Sequence, residues 1–403
     1  MPRIELKKGD TLILYGPASA LLVEGKASVL GCPLSSKRKL VIKSWRSRPI
    51  HAEDHSVIDC TYGEGGGLEV IEGDTVPEGW RKFAEKVSER PSRVCVYGAV
   101  DSGKTSLATL LLNALAKKFG SAIYLDLDAG QSNICPPSTI GYTSVRSPIP
   151  DVSYLRMEFG EVVGYTSPTP LAERHLRAAE ILVKKIGENY RGVSISGDFD
   201  GWVSGEGAIT HKAHLLSIVR PDFMASIGTL PEEVKSICEE HGIAYEELPP
   251  PSKVRKREQS SRKKLREIAY NRFLRKSILR KIPITWIKLE TLNGEEDPKK
   301  ISSHIRRLIE AFSEENDLIL DSTGAGGINE VAKKGVGILS YIYDSNGAFA
   351  GIGLLVGFDL HNNSLRILTP FAQQIKRMII GSILLSIEGE EVYANARLLA
   401  QGS

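Results

Sequence analysis

Eight residues, Gly98-Ala99-Val100-Asp101-Ser102-Gly103-Lys104-Thr105, satisfy G-x-x-x-x-G-K-[ST] at every fixed position. This spacing constrains the fold because it works between a buried strand and the N-terminus of a helix. Both flanks fit. Arg93–Tyr97 is short, β-rich and apolar enough for a buried strand. Leu107, Leu110, Leu111, Ala114 and Leu115 then recur at helical spacing, and Gly120 supplies a stop. In such a turn backbone N–H groups converge on a phosphate, and the helix dipole adds partial positive charge. Lys104 would reach the β- and γ-phosphates, and the Thr105 hydroxyl would ligate Mg²⁺. The implied ligand is a nucleoside triphosphate, held by Gly98, Ala99, Val100, Asp101, Ser102, Gly103, Lys104, Thr105 and Ser106.

A chain of 403 residues exceeds one ordinary domain, so two or three are expected. The net charge of +3 selects no partner, and the distribution of charge matters more than its sum. Five cysteines (Cys32, Cys60, Cys95, Cys135, Cys238) are scattered and show no C-x-x-C spacing. That argues against a disulfide framework or zinc site and for a reducing compartment. Met1-Pro2-Arg3-Ile4-Glu5 lacks a signal-peptide core, and no apolar run reaches membrane-spanning length. The expectation is a soluble intracellular protein without a membrane partner: cytoplasmic, or nuclear if eukaryotic.

Before the phosphate loop, Thr11–Tyr15, Ala20–Val23 and Leu40–Lys43 are short apolar runs between Gly and Asp turns. This pattern predicts a small all-β domain over 1–88. Gly65-Gly66-Gly67 reads as a turn, and His51 and His55 as residues of a solvated loop. A short amphipathic helix is expected from Pro77 to about Arg90.

After the first helix, 122–128 reads as a buried strand ending in Asp126-Leu127-Asp128. Side chains alternate along a strand, so Asp126 and Asp128 share a face. At the C-terminal edge of a parallel sheet that face looks into the ligand crevice. A carboxylate there can hold Mg²⁺ or take a proton from an attacking hydroxyl. Thr169 and Pro170 read as the start of the next helix. Thr166 and Ser167 are left over, with hydroxyls suited to a substrate phosphate. Val193–Ser196 reads as a strand leading to Trp202, whose ring either stacks on a base or anchors the loop. His211 and His214 read as surface or capping residues, and Pro221–Gly228 as another strand.

From Lys253 to Lys281 there are thirteen Lys/Arg against two Glu, following Pro249-Pro250-Pro251. A solvated charged face is the usual reading. Here Leu265, Ile268, Ala269, Phe273 and Leu274 form an apolar stripe, as in a basic lid whose arginines cover phosphates.

Gly98–Thr105, Leu127-Asp128-Ala129-Gly130-Gln131, Thr166-Ser167-Pro168, Asp200-Gly201-Trp202 and Arg262…Arg266…Tyr270 together resemble the Clp-type polynucleotide 5′-hydroxyl kinases of RNA processing. The resemblance covers nearly the whole chain, including Leu368-Thr369-Pro370, and the length without long tails is similar to the archaeal members. It implies ATP and Mg²⁺ as cofactors, with Lys104 and Thr105 as phosphate and Mg²⁺ contacts. Asp128 would be the general base, with Asp126 and Gln131 assisting at Mg²⁺ and phosphate. Thr166, Ser167 and Thr169 would clasp the first phosphodiester, and Trp202 would be the stacking platform. Arg262 and Arg266 would be the lid arginines, with Arg257 a looser match. Gly197-Asp198-Phe199-Asp200 departs from the more apolar strand usual in the family. The implied partner is RNA with a 5′-hydroxyl end, with single-stranded DNA as a further acceptor; protein partners are not specified. A silent ATP-bound scaffold, an ATPase and a small-molecule kinase stay open as alternatives.

Beyond residue 283, a β pattern at Ile284–Leu289 is followed by a helix around Lys299–Phe312. Further strands are expected at Leu318–Leu320, Val336–Tyr343, Gly351–Phe358, Ser364–Pro370 and Ile379–Ile387. Ser322–Gly327 lacks a Lys-Ser/Thr ending and reads as a turn. The expected architecture is an α/β P-loop NTPase domain, mostly parallel with flanking helices, at 89–283. Its basic lid lies at about 253–281. Small all-β domains flank it at 1–88 and 284–403.

Overall fold

The computed structural model describes residues 2–253, 259–316, 318 and 327–394. Two compact units emerge: Met1–Asp128, Gly141–Glu158 and Val183–Ser261 in the first, and Ala129–Ile140, Phe159–Leu182 and Arg262–Ser403 in the second.

The first unit opens with two antiparallel sheets. One has the order Arg3–Leu6, Ser56–Tyr62, Ala18–Glu24, Leu40–Ile42; the other runs Cys32–Pro33, Ala27–Val29, Ser47–Ala52, Thr11–Tyr15, Gly67–Ile71. Alternation drives this part: Ser47–Ala52 buries every second residue, including Ile50 and Ala52. His51 therefore sits on a strand, 3.7 Å from Asp74, and not in the expected loop. The helix expected after Pro77 is Glu78–Val87, with Trp80, Phe83, Ala84 and Val87 inward. Trp80 Nε1 donates to the Pro249 carbonyl at 2.9 Å.

Six strands of the central sheet run in the order Thr139–Val145, Ala122–Leu127, Ser194–Phe199, Arg93–Tyr97, Phe223–Ile227, Ala244–Leu248. The last five are mutually parallel. Burial on both faces explains why the first four of these read as apolar runs without alternation, whereas the edge strand Ala244–Leu248 buries only Leu248 fully. Arg93–Tyr97 comes first of these five in the chain yet lies in the middle. The order reverses beside it, which is where an open parallel sheet leaves a crevice at its C-terminal strand ends. Helix Lys104–Phe119 packs on the three strands at this point, with Leu107, Leu111, Leu112 and Leu115 fully buried.

The second unit is built on a mixed sheet in the order Ile278–Pro283, Ser364–Thr369, Phe349–Asp359, Val336–Tyr343, Arg377–Ser386, Lys288–Thr291, with Glu391–Ala394 paired to Arg377–Ser386. This sheet begins at Ile278, inside the stretch that sequence reasoning gave to the central domain. The strand expected over Ile284–Leu289 is split: Ile284–Trp286 forms a 3₁₀ turn and the strand starts at Lys288. Helix Pro298–Glu315 starts with the Asp297 side chain accepting from Lys299 N at 2.9 Å. Ile301, Ile305, Leu308 and Phe312 recur at helical spacing and pack into one core with Ile338, Leu355, Ile367, Met378 and Leu384. Ile319, Leu320 and the turn at 322–326 lie outside the described residues, as does Arg257; Gly327 opens helix Gly327–Lys333.

Candidate functional site

The strand Arg93–Tyr97 ends in the glycine loop, and the helix begins at Lys104 with Gly103 before it in a left-handed conformation (φ 104°). A side chain at Gly103 would be strained there, and its Cβ would stand 3.3 Å from both Trp80 and Pro251. Among the described residues no side chain caps this helix start. Its N-terminal end thus faces the loop as an anion site would require. Lys104 folds back over the turn, its Nζ donating to the Ala99 carbonyl at 2.8 Å.

The Thr105 hydroxyl donates to Asp198 Oδ2 at 2.7 Å, and the Tyr124 hydroxyl donates to the same oxygen at 3.0 Å. The other oxygen, Asp198 Oδ1, is buried and lacks a hydrogen-bond partner among the described residues. Asp198 is the last residue but one of the parallel strand Ser194–Phe199, level with Val96 on one side and Asp126 on the other. Burial pushes its carboxyl up to about 6, and the Asp128 charge adds to that. Lys104 and the Thr105 and Tyr124 hydroxyls pull the other way. Sequence reasoning missed Asp198, treating its segment only as a departure from the family pattern. The available signal was an acid at the C-terminal end of an otherwise small and apolar strand.

Asp126 is fully buried and Asp128 half-buried, one residue beyond the strand end at Leu127. Asp126 Oδ1 accepts the Asp128 backbone N–H at 3.3 Å. Two residues past Asp198, Asp200 Oδ1 accepts the Trp202 backbone N–H at 2.8 Å, and its Oδ2 meets Lys212 Nζ at 2.5 Å. The Trp202 ring lies 5.4 Å from the His211 ring, tilted by 39°. His211 and Lys212 are both buried on helix Glu206–Val219, while His214 is exposed. The surface reading holds for His214 and fails for His211.

The remaining expected residues belong to the second unit. Ser167 Oγ lies 3.1 Å from Thr169 Oγ1. The turn Thr169–Leu171 has Pro168 as its N-cap, so Thr169 is its first residue and not its cap. Thr166, Ser167 and Gln131 are half-buried, and Thr169 is exposed. On helix Gln259–Leu274, Arg266 makes a two-pronged ion pair with Glu391 (2.6 and 2.7 Å). Arg262 is half-buried on the same helix. The inward ring of that helix is Tyr270, fully buried, whereas Ile268 from the expected stripe is exposed.

A backbone turn with a helix end, a lysine and a hydroxyl is a phosphate cradle. A hydroxyl beside a buried carboxylate with one unengaged oxygen fits a hard cation such as Mg²⁺, which takes oxygen ligands and keeps part of its water. All five cysteines are buried free thiols. Among the described residues no helix is long and apolar enough to cross a membrane.

Residues 98–276 match the family model described as mRNA cleavage and polyadenylation factor CLP1 P-loop. A polyribonucleotide 5′-hydroxyl-kinase of Methanocaldococcus jannaschii is 24% identical over 331 residues, 76% of this chain and 91% of that protein. One from Thermococcus kodakarensis is 26% identical over 348 residues, 79% and 95% of the two chains. The human polyribonucleotide 5′-hydroxyl-kinase Clp1 is 26% identical over 216 residues, 49% of this chain and 51% of that protein. Among solved structures, the wild-type Clp1p–Pcf11p complex contains a chain that aligns with a TM-score of 0.68 at 14% identity. The alignment spans 94% of this chain and 97% of that one, a likeness of fold. Residues 98–276 thus carry a P-loop domain of the CLP1 type, and most of the chain is similar to archaeal polyribonucleotide 5′-hydroxyl-kinases.

Proposed function

We propose that this protein is an ATP- and Mg²⁺-dependent kinase that transfers the γ-phosphate to the 5′-hydroxyl of RNA, with single-stranded DNA as a second acceptor. The observation that carries the reading is the carboxylate cluster at the phosphate loop. Thr105 is bonded to Asp198, and the charge of Asp128 reaches Asp198.

In this reading the loop Gly98–Ser106 and Lys104 hold the triphosphate. Thr105 and Asp198, with Asp126 and Asp128 at the neighbouring strand end, are the oxygen ligands offered to the metal. Bound Mg²⁺ would offset negative charge on the β- and γ-phosphates. Asp128 takes the proton of the 5′-hydroxyl as its oxygen bonds to the γ-phosphorus; the bond from that phosphorus to the bridging oxygen breaks, and ADP leaves. Gln131 assists at the phosphates, Thr166, Ser167 and Thr169 hold the first phosphodiester, and Trp202 stacks on a base. Arg262 and Arg266 cover the transferring group, which for Arg266 requires exchanging Glu391 for phosphate. Five buried thiols suit a reducing, intracellular setting.

The test compares ADP release and bound ATP with and without a 5′-hydroxyl oligoribonucleotide, for wild type and Lys104→Ala. A kinase releases ADP in step with the oligonucleotide, and the variant releases none. ADP formed regardless of the oligonucleotide would indicate an ATPase, and ATP retained without turnover a scaffold.

A further inference from the structure

The Asp200–Lys212 pair is out of place for a stabilising contact. Asp200 is 3% exposed and Lys212 0%. Lys and Asp are rarely buried so completely, and replacing such a pair by apolar residues often costs no stability. Its geometry gives it another use. One Asp200 oxygen takes Lys212 and the other takes the backbone N–H of Trp202. Between them, Gly201 lies directly on the phosphate loop: a Cβ there would be 2.4 Å from Val100 Cγ2 and 3.0 Å from Val100 N and Cα. The residue before Lys212, His211, packs its ring against Trp202. A Cβ on Gly207, one turn earlier on this helix, would stand 3.3 Å from the Trp202 ring. One helix therefore fixes the Trp202 loop at its carboxylate, its ring and, through Gly201, its seat on the nucleotide loop.

We propose that Lys212 is a positioning residue for the acceptor: through Asp200 it holds the Gly201-Trp202 loop against the phosphate loop, so that the stacking ring is registered to the nucleotide. This rests on the kinase reading and on Trp202 as its stacking surface. Lys212 touches neither substrate in this scheme. Its removal should loosen the acceptor without weakening ATP.

Lys212→Met leaves a buried carboxylate without its cation and is expected to lower stability. Asp200→Asn combined with Lys212→Met removes both charges and keeps an oxygen for the Trp202 N–H. The double variant is expected to fold, with an acceptor KM raised about tenfold. Its ATP KM should stay within about twofold, well inside the tenfold that 1.4 kcal/mol would produce. A fluorotryptophan ¹⁹F resonance, assigned by its loss in Trp202→Phe, should shift and broaden. An unchanged resonance with an unchanged acceptor KM would overturn the proposal. So would equal rises in both KM values, or a double variant that does not fold, since either assigns the pair to stability. A wild-type protein that transfers nothing to a 5′-hydroxyl fails the kinase reading alone, because the fluorine signal still reports the loop.

Discussion

Replacing Asp198 by asparagine tests the buried carboxylate at Thr105 in a way independent of turnover. In the folded, metal-free protein burial raises this carboxyl from its ordinary 3.8 to about 6. A group whose folded pKa lies above its unfolded value stabilises the fold fully below the unfolded pKa, and that stability is lost as pH rises through the folded one. The full difference corresponds to roughly 3 kcal/mol at ~1.36 kcal/mol per pH unit. Of this, about 2 kcal/mol falls between pH 4.5 and 7.5. Asparagine does not titrate, so any constant cost of its amide, including the hydrogen bond absent at Oδ1, cancels between the two pH values. Urea denaturation in EDTA without nucleotide, for both proteins at both pH values, measures the remainder. The expected result is that stability of Asp198→Asn relative to wild type improves by about 2 kcal/mol on going to pH 7.5. Mg²⁺ with nucleotide should then stabilise wild type far more than the variant. A stability difference that does not move with pH would refute the argument from burial.

Asp151 provides a case of opposite sign. Burial disfavours its charge, but Arg48 at 2.7 Å, Arg46 at 3.9 Å and the Ser153 N–H outweigh that and hold it at about 2. Its contribution is present above 3.8 and lost as pH falls toward 2, so Arg48→Met should cost about 3–5 kcal/mol in urea melts at pH 7 and less below pH 4. Trp202→Ala should weaken oligonucleotide binding by about 1–3 kcal/mol in fluorescence-anisotropy titrations while ATP affinity holds; equal oligonucleotide affinity would return that ring to a packing role. Arg266→Met and Glu391→Gln should be non-additive in stability by about 1 kcal/mol, as a double-mutant cycle reads directly.

The phosphate loop was legible because each fixed position of its motif answers to a backbone requirement, and the strand and helix around it carry their own patterns. Strands with strong apolar runs, such as Val336–Tyr343, emerge where the residues say. Other features depend on distant partners. Arg266 belongs to a charge run in sequence, and only folding brings Glu391 to it from 125 positions away. Lys212 sits in a stretch whose polar residues suggest a surface, yet it is fully buried because Asp200 awaits it. Asp198 escaped notice for a related reason: an acid at a strand end is common, and its importance comes from Thr105 and Tyr124 converging on one oxygen. The break at Ile284–Trp286 was hidden because β-branched residues continue through a 3₁₀ turn without any Gly or Asn to mark it.

The most direct measurement uses γ-labelled ATP, Mg²⁺ and matched 5′-hydroxyl RNA and DNA oligonucleotides, with Asp128→Asn beside wild type. Label should appear on the 5′ end with wild type and fall by orders of magnitude in the variant, and the two acceptors are ranked in the same experiment. Label released only as inorganic phosphate, or 5′ labelling undiminished in Asp128→Asn, would contradict the account.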